Sequence, residues 1–192
     1  VLHIGGWAFS GCKNIRAIKI PNHVKSIGKY AFSHCSRLRS LHIPKSVEKI
    51  EEQAFQGCTH LLRIEVHKDN KVYDSRGNCN AIIHTRSNVL VRGCKNTIIP
   101  DSIVEIDDMT FDTCSGLKSI VIPEGVRNIS NGAFANCSVE RVVFPDTLTI
   151  IESGAFQGCE ELIEIVLPNQ LKYIRDGAFC SCSRLQFVRI PK

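Results

Sequence analysis

The feature that most constrains this chain is a phenylalanine that returns on a nearly fixed count. Phe9, Phe32, Phe55, Phe111, Phe134, Phe156 and Phe179 are separated by 23, 23, 56, 23, 22 and 23 residues. Ala8, Ala31, Ala54, Ala133, Ala155 and Ala178 precede six of them, and Thr110 precedes Phe111. The step of 56 is one ordinary unit plus one of 33. A fixed period between about 20 and 50 residues marks a stacked array, in which each unit buries its apolar face only against its neighbours. Length therefore says nothing about domain count here. We read residues 1–192 as one array of about eight coils, cut from a longer one, with residues 70–96 forming a long repeat that carries an insertion.

The unit reads C-x-x-L-x-x-I-x-I-P-x-x-V-x-x-I-x-x-x-A-F-x-x, with Ile, Leu and Val interchangeable. In Leu162-x-x-Ile165-x-Leu167-Pro168, residues 165 and 167 share one face of an extended strand, because side chains alternate with period two. Proline then ends the ladder, having no N–H to donate. The same shape recurs at Ile18, Ile20, Pro21, at Leu41, Ile43, Pro44 and at Ile120, Ile122, Pro123. An apolar residue three after the proline and another three further on (Val24 and Ile27, Val126 and Ile129) form a second short extended segment. The Ala-Phe-x-x-Cys stretch is expected to return the chain as one helical turn, with Phe filling the centre of the coil. Parallel strands joined by crossovers are right-handed almost without exception. The expectation is a right-handed β-superhelix, roughly 40 Å long at about 4.8 Å per coil.

This pattern resembles the BspA-like leucine-rich repeat family, and the resemblance covers essentially the whole chain. The long repeat, NKVYDSRGNCNAIIHTRSNVLVRGCKNTIIPDSIVEI, is similar to the hairpin-bearing repeat of bacterial members. His67 departs by standing where proline is expected, and one residue is missing between Cys137 and Val139. The resemblance implies a leucine-rich-repeat solenoid with a parallel sheet, exposed at the cell surface or secreted and used for protein binding and adhesion; we expect the segment to be monomeric. It also implies a protein or glycan ligand on a host or microbial surface, with host matrix proteins favoured; the residues themselves suggest no cofactor.

The insertion is expected to leave the solenoid as a protruding β-hairpin. Ala81 to Ile83 would pair with Val89 to Val91 around the polar stretch HTRSN, whose Asn suits a tight turn. Removing it should then spare the fold.

Charge excludes some partners. Charged residues make up 22% of the chain in mixed signs, with a net charge of +5. The basic residues are scattered and not interleaved with aromatics, which argues against nucleic acid. No apolar run approaches the length of a membrane span, and no signal peptide is visible.

Ten cysteines could mean a disulfide-stapled secreted protein. Their positions argue otherwise. Cys12, Cys35, Cys58, Cys114, Cys137, Cys159 and Cys182 occupy one slot, three residues after the Phe. Stacked neighbours with parallel Cβ vectors sit too far apart for a bridge, so we expect a ladder of buried free thiols. Cys180 is expected to face outward. Cys79 and Cys94 flank the insertion. Cys94 replaces the apolar residue that starts a repeat strand, which makes it core, and a disulfide to Cys79 is the alternative. No zinc-type spacing is present.

The seven histidines fall at variable positions and match no metal-ligand or nucleophile motif. The pairs Glu51-Glu52 and Asp107-Asp108 follow second strands at turns, where the repeat implies no concave pocket, so no catalytic residues are assigned. Two function classes remain, a binding module and a passive spacer presenting another domain. The outward column of the first strand separates them. It reads Lys19, His42, Glu65, Ile98, Val121, Val143, Val166 and Arg189, four consecutive apolar residues between charged ends. We take Ile98, Val121, Val143 and Val166 as a candidate protein-binding stripe, with Arg63, Arg141 and Glu164 as its polar rim. Exposed Val and Ile can also simply suit a strand.

Overall fold

The computed structural model describes residues 1–191 and winds them into a β-solenoid of about eight coils. An ordinary coil carries a front strand just before its proline and a shorter back strand after it. The early coils contribute β1 (His3–Ile4), β2 (Ala17–Lys19), β3 (Ser26–Ile27), β4 (Ser40–Ile43), β5 (Lys49–Ile50) and β6 (Arg63–Val66). The long repeat contributes β7 (Tyr73–Asp74), β8 (Ile82–His84) and β9 (Val89–Arg92). Then follow β10 (Glu105–Ile106), β11 (Ser119–Val121), β12 (Asn128–Ile129) and β13 (Arg141–Val143). The last are β14 (Ile150–Ile151), β15 (Glu164–Val166), β16 (Tyr173–Ile174) and β17 (Phe187–Arg189).

The front strands pair in parallel as β2-β4-β6 and, separately, β11-β13-β15-β17. The back strands pair as β1-β3-β5 and as β16-β14-β12-β10-β9-β8-β7. Both faces are thus interrupted at the long repeat.

The Ala-Phe-x-x-Cys segment is not the helical turn that its length suggests. The residue before the Ala and the residue before the Cys both have positive φ, as in Tyr30 (57°) and His34 (55°), or Gly154 (63°) and Gly158 (68°). Two left-handed residues so close together cannot lie in one right-handed helical turn. The backbone donors turn outward instead. Phe32 N–H reaches Ala54 O of the next coil at 2.8 Å, Phe134 N–H reaches Ala155 O at 2.7 Å, and Phe156 N–H reaches Ala178 O at 2.7 Å. The turn is therefore a third ladder between coils. The Phe rings stack along it, with centroids 5.2 and 5.6 Å apart from Phe9 to Phe55 and 4.9 to 5.3 Å apart from Phe111 to Phe179. Each such pair adds about 0.5–1.5 kcal/mol beyond burial.

No ring pair joins Phe55 to Phe111, because the long repeat has no Phe to offer. Gly93 donates to Thr110 O at 3.0 Å and so takes the Phe slot. It must be glycine, since a Cβ there would lie 2.1 Å from the Phe111 ring. Cys94 accepts from Thr97 N–H as Cys35 does from Leu38, so it occupies the thiol slot and not the start of a strand. The front of this coil is shortened. Pro100 follows Cys94 by six residues, whereas Pro44 follows Cys35 by nine.

The insertion forms the expected antiparallel pair, but it does not protrude. Ile83 pairs with Leu90 and His84 with Val89, with an irregularity between Ile82 and Ile83. β9 then pairs in parallel with β10, which makes the hairpin part of the back sheet. Ala81, Ile82, Ile83 and Leu90 are fully buried. Ile82 packs with the core of the earlier coils and Ile83 with that of the later ones. The insertion is a wall between two cores, and its removal would open both.

A buried ion pair ties the same junction together. Arg92 Nη1 lies 2.6 Å from Asp112 Oδ1, and both side chains are almost wholly buried. Asp112 Oδ2 also accepts Gly57 N–H at 3.2 Å, so one carboxylate clips three successive coils.

Candidate functional site

The front sheet of the later coils gathers most of the stripe. The register sets Val121 beside Val143 and Ser119 beside Arg141, and Arg141 beside Glu164. Strand alternation turns Ile120, Val142 and Ile165 into the core and leaves the residues between them outside. Val121, Val143 and Val166 are 65%, 50% and 46% exposed. Ile98 is 78% exposed but lies outside any strand, its N–H bonded to Cys79 O at 3.1 Å. Arg63 stands on the other front sheet and pairs with Glu65 at 3.2 Å. The structure thus brings together Val121, Val143, Val166, Arg141 and Glu164, and sets Ile98 and Arg63 to one side.

Repeat reading missed a hollow in this face. The bond from Ile122 N–H to Val143 O (2.9 Å) and that from Leu167 N–H to Arg189 O (3.0 Å) have no counterpart between Phe144 and Val166. There β13 and β15 part, leaving a hollow of about 300 Å³ between Arg141, Val143, Phe144, Glu164 and Val166. Phe144 fills a slot held elsewhere by Ile, Leu or Val. It packs edge-on against Phe156 at 5.7 Å. That enlarged residue before Pro145 is the sequence signal that marks the place.

The thiol ladder has a role that size alone does not explain. Cys35, Cys58, Cys159 and Cys182 donate to the Phe carbonyl one coil back, at 3.3, 3.4, 3.1 and 3.2 Å. Cys137 donates to Cys114 O instead, at 3.4 Å. Cysteine here is a small apolar residue whose weak S–H donor adds a second bond to a carbonyl that already accepts a backbone N–H. All ten cysteines are free, including Cys79 and Cys94, which pack into different cores. Two members of the slot are less enclosed than expected. Cys12 is exposed and Cys182 is half-buried.

Burial pushes the Cys58 and Cys159 thiols up to about 12. The thiolate is the reactive form, so these sulfurs should be inert at pH 8. A thiol-reactive disulfide reagent should therefore label Cys12 and Cys180 rapidly in native protein, Cys182 more slowly, and all ten after denaturation. Rapid native labelling of Cys58 or Cys159, mapped by mass spectrometry, would contradict this.

The acidic pairs correct another expectation. Glu51-Glu52 and Asp107-Asp108 line one cleft of about 270 Å³, opened where the long repeat is thin. Among the described residues no three His, Cys, Asp or Glu converge as metal ligands would, and no helix is long and apolar enough to cross a membrane.

Comparison with known proteins accords with this geometry. The sequence profile of the BspA type leucine rich repeat region matches in six copies over residues 1–82 and 91–192. The unmatched stretch falls on the hairpin. A leucine-rich repeat protein from Bacteroides ovatus is 35% identical, with a TM-score of 0.61, over 100% of this chain and 41% of that one. A leucine rich cell surface protein from Faecalibacterium prausnitzii is 24% identical, with a TM-score of 0.67, over 96% of this chain and 62% of that one. The pneumococcal vaccine antigen PcpA is 23% identical, with a TM-score of 0.81, over 97% of this chain and 53% of that one. The chain thus spans roughly half the length of these structures, and the last two show likeness of fold alone. No curated protein matches. The matched repeats, the inward Leu and Ile positions and the stacked Phe turns lead to one assignment: the chain belongs to the BspA-type leucine-rich repeat family.

Proposed function

We propose that this segment is a non-catalytic binding module of a cell-surface or secreted protein. In this reading it contacts a partner protein through the stripe of Val121, Val143 and Val166, with Ile98 to one side of it. Arg141 and Glu164 form the near rim and Arg63 the far one. The observation that carries the reading is the run of exposed valines beside the Phe144 hollow, on the parallel front sheet of the later coils. A contiguous exposed apolar patch rimmed by charge marks interaction sites more often than chance. A rigid surface also loses little ordering entropy when it binds. Membership of the family favours a ligand on a host or microbial surface, a host matrix protein first and a glycan second, with the segment itself monomeric.

The test is the double substitution Val121→Lys with Val143→Lys, assayed against a partner recovered by a binding screen. Both side chains face solvent, so circular dichroism should show the fold unchanged. Affinity should fall at least about tenfold, as when a central apolar contact is lost. Unchanged affinity in the folded double mutant would remove the stripe as the contact and leave the spacer reading ahead.

A further inference from the structure

The turn ladder has a defect, and the defect is a binding cleft. In an ordinary coil three turn N–H groups donate to carbonyls of the next coil. Tyr30, Phe32 and His34 reach Glu52, Ala54 and Gln56 at 3.3, 2.8 and 2.6 Å. Met109, Phe111 and Thr113 reach Asn131, Ala133 and Ala135 at 3.1, 2.6 and 2.7 Å. The coil before the long repeat keeps only the third of these, Gly57 N–H, and that goes to the Asp112 side chain. Among the described residues, Gln53 N–H and Phe55 N–H have no carbonyl partner. On the opposite wall Asp108 O, which the pattern pairs with such a donor, accepts nothing from the backbone.

The space between the walls is the cleft of about 270 Å³. Val91 and Arg92 line it as well. Arg92 is 5% exposed, and its Nε, a donor, has no partner. A buried guanidinium donor without an acceptor is rare in folded proteins, because it carries a desolvation penalty, and among the described residues the Gln53 and Phe55 N–H groups beside it have no protein acceptor. The rim is acidic. Glu51 and Glu52 come from one wall, Asp107 and Asp108 from the other. Lys49 and Lys29 answer the first two. Burial pushes the Asp107 carboxyl up, and the charges of Asp108, Glu105 and Glu52 add to it. Asp112 neutralises Arg92, the buried cation of the lining, so the acidic residues of the rim favour a second cation there.

The geometry points to a short peptide segment of a partner protein, carrying a lysine or arginine, as the occupant of this cleft. Its backbone carbonyls would accept Gln53 and Phe55 N–H, its own N–H would meet Asp108 O, and its cationic side chain would lie beside Asp107, in the field of Glu52 and Asp108, whose carboxylates are themselves bonded to Lys29 and Asn131. A peptide supplies donors and acceptors in the alternating order that the missing coil turn would have supplied. Adding backbone to an open hydrogen-bonding edge is a common mode of peptide capture. The volume is below the range of about 300–1,000 Å³ usual for drug-sized ligands and cofactors, but it suits a residue and its flanking amides. The cleft lies on the turn side, away from the front valines.

The test uses the whole labelled chain and two blocked peptides, acetyl-Gly-Lys-Gly-amide and the uncharged acetyl-Gly-norleucine-Gly-amide, followed by amide NMR. The lysine peptide should shift the Gln53 and Phe55 amide signals saturably, and the norleucine peptide should bind at least about tenfold more weakly. Glu52→Gln with Asp108→Asn should weaken the lysine peptide about tenfold, while the remaining spectrum stays native. Val121→Lys with Val143→Lys should leave it unchanged, so failure of the front-face reading and failure of this one are separable. No shift at Gln53 and Phe55 up to about 10 mM peptide, well past a millimolar Kd, would overturn the proposal. So would equal binding of both peptides. Calcium chloride moving these signals while the peptide does not would also overturn it, in favour of an ion site.

Discussion

Replacing Asp112 by alanine is expected to lower folding stability by about 3–5 kcal/mol, the usual cost of removing one partner of a buried ion pair. Two groups are stranded by the change. Arg92 is left as a buried charge whose Nη1 retains only Met109 O at 2.9 Å. Gly57 N–H loses its only acceptor, a loss of about 1–3 kcal/mol for a buried donor. The effect should be readable as a lower urea midpoint followed by circular dichroism. A second substitution separates charge from packing. Arg92→Met with Asp112→Ala removes both charges, and a buried pair replaced by apolar groups is often neutral or stabilising. The double mutant should therefore be more stable than Asp112→Ala alone, still below the parent because Gly57 remains unpaired. Equal midpoints for the single and the double would show that Arg92 is solvated and that the pair does not clip the coils. The surface pairs Lys29–Glu52 and Arg184–Glu161, each linking one coil to the next, should behave differently. Both are exposed, and such pairs are worth about 0–1 kcal/mol.

The repeat was legible because its physics is one-dimensional. Leu41, Ile43, Val47, Ala31 and Phe32 are each buried where the period places them, since every coil meets the same environment above and below. The outward column was legible for the same reason, because alternation along a strand fixes facing. Three features were not. The two left-handed residues of each turn are glycines in later coils (Gly154, Gly158) but Tyr30, His34, Met109 and Thr113 in others, where no side chain announces positive φ. The Arg92–Asp112 pair joins positions twenty residues apart whose neighbourhood depends on how the long repeat is threaded. The cleft between Glu51-Glu52 and Asp107-Asp108 exists only because Gly93 replaces a full turn. Periodicity describes what each coil shares, and the candidate sites sit where one coil differs: at Phe144 on the front, and at Arg92 and Gly93 on the turn side.

Deleting residues 80–89 is expected to abolish the single cooperative unfolding transition. Read from sequence, the stretch is a hairpin free to leave. A solvent-facing hairpin, however, would alternate apolar with polar residues, whereas Ala81-Ile82-Ile83 is continuously apolar. That is the pattern of a strand buried on both faces. The structure puts Ile82 into one core and Ile83 into the other, each without solvent exposure. Truncating a single buried Ile costs about 2–5 kcal/mol. The deletion removes two, along with the β8 ladder to β7 and β9. The total is comparable with the whole stability of a domain, about 5–15 kcal/mol. A stacked array has an additional weakness here, because coils are coupled only through nearest neighbours. Losing the wall should uncouple the three early coils from the later ones, giving two lower calorimetric transitions or none. Shortening only the tip, by replacing Thr85-Arg86-Ser87-Asn88 with Asn-Gly, is the control. Thr85, Arg86 and Ser87 are exposed, and a two-residue Asn-Gly turn closes antiparallel strands well, so that variant should melt within a few degrees of the parent, about 1 kcal/mol on this scale. If the 80–89 deletion melted as a single transition at the parent's temperature, the partition between two cores would be wrong.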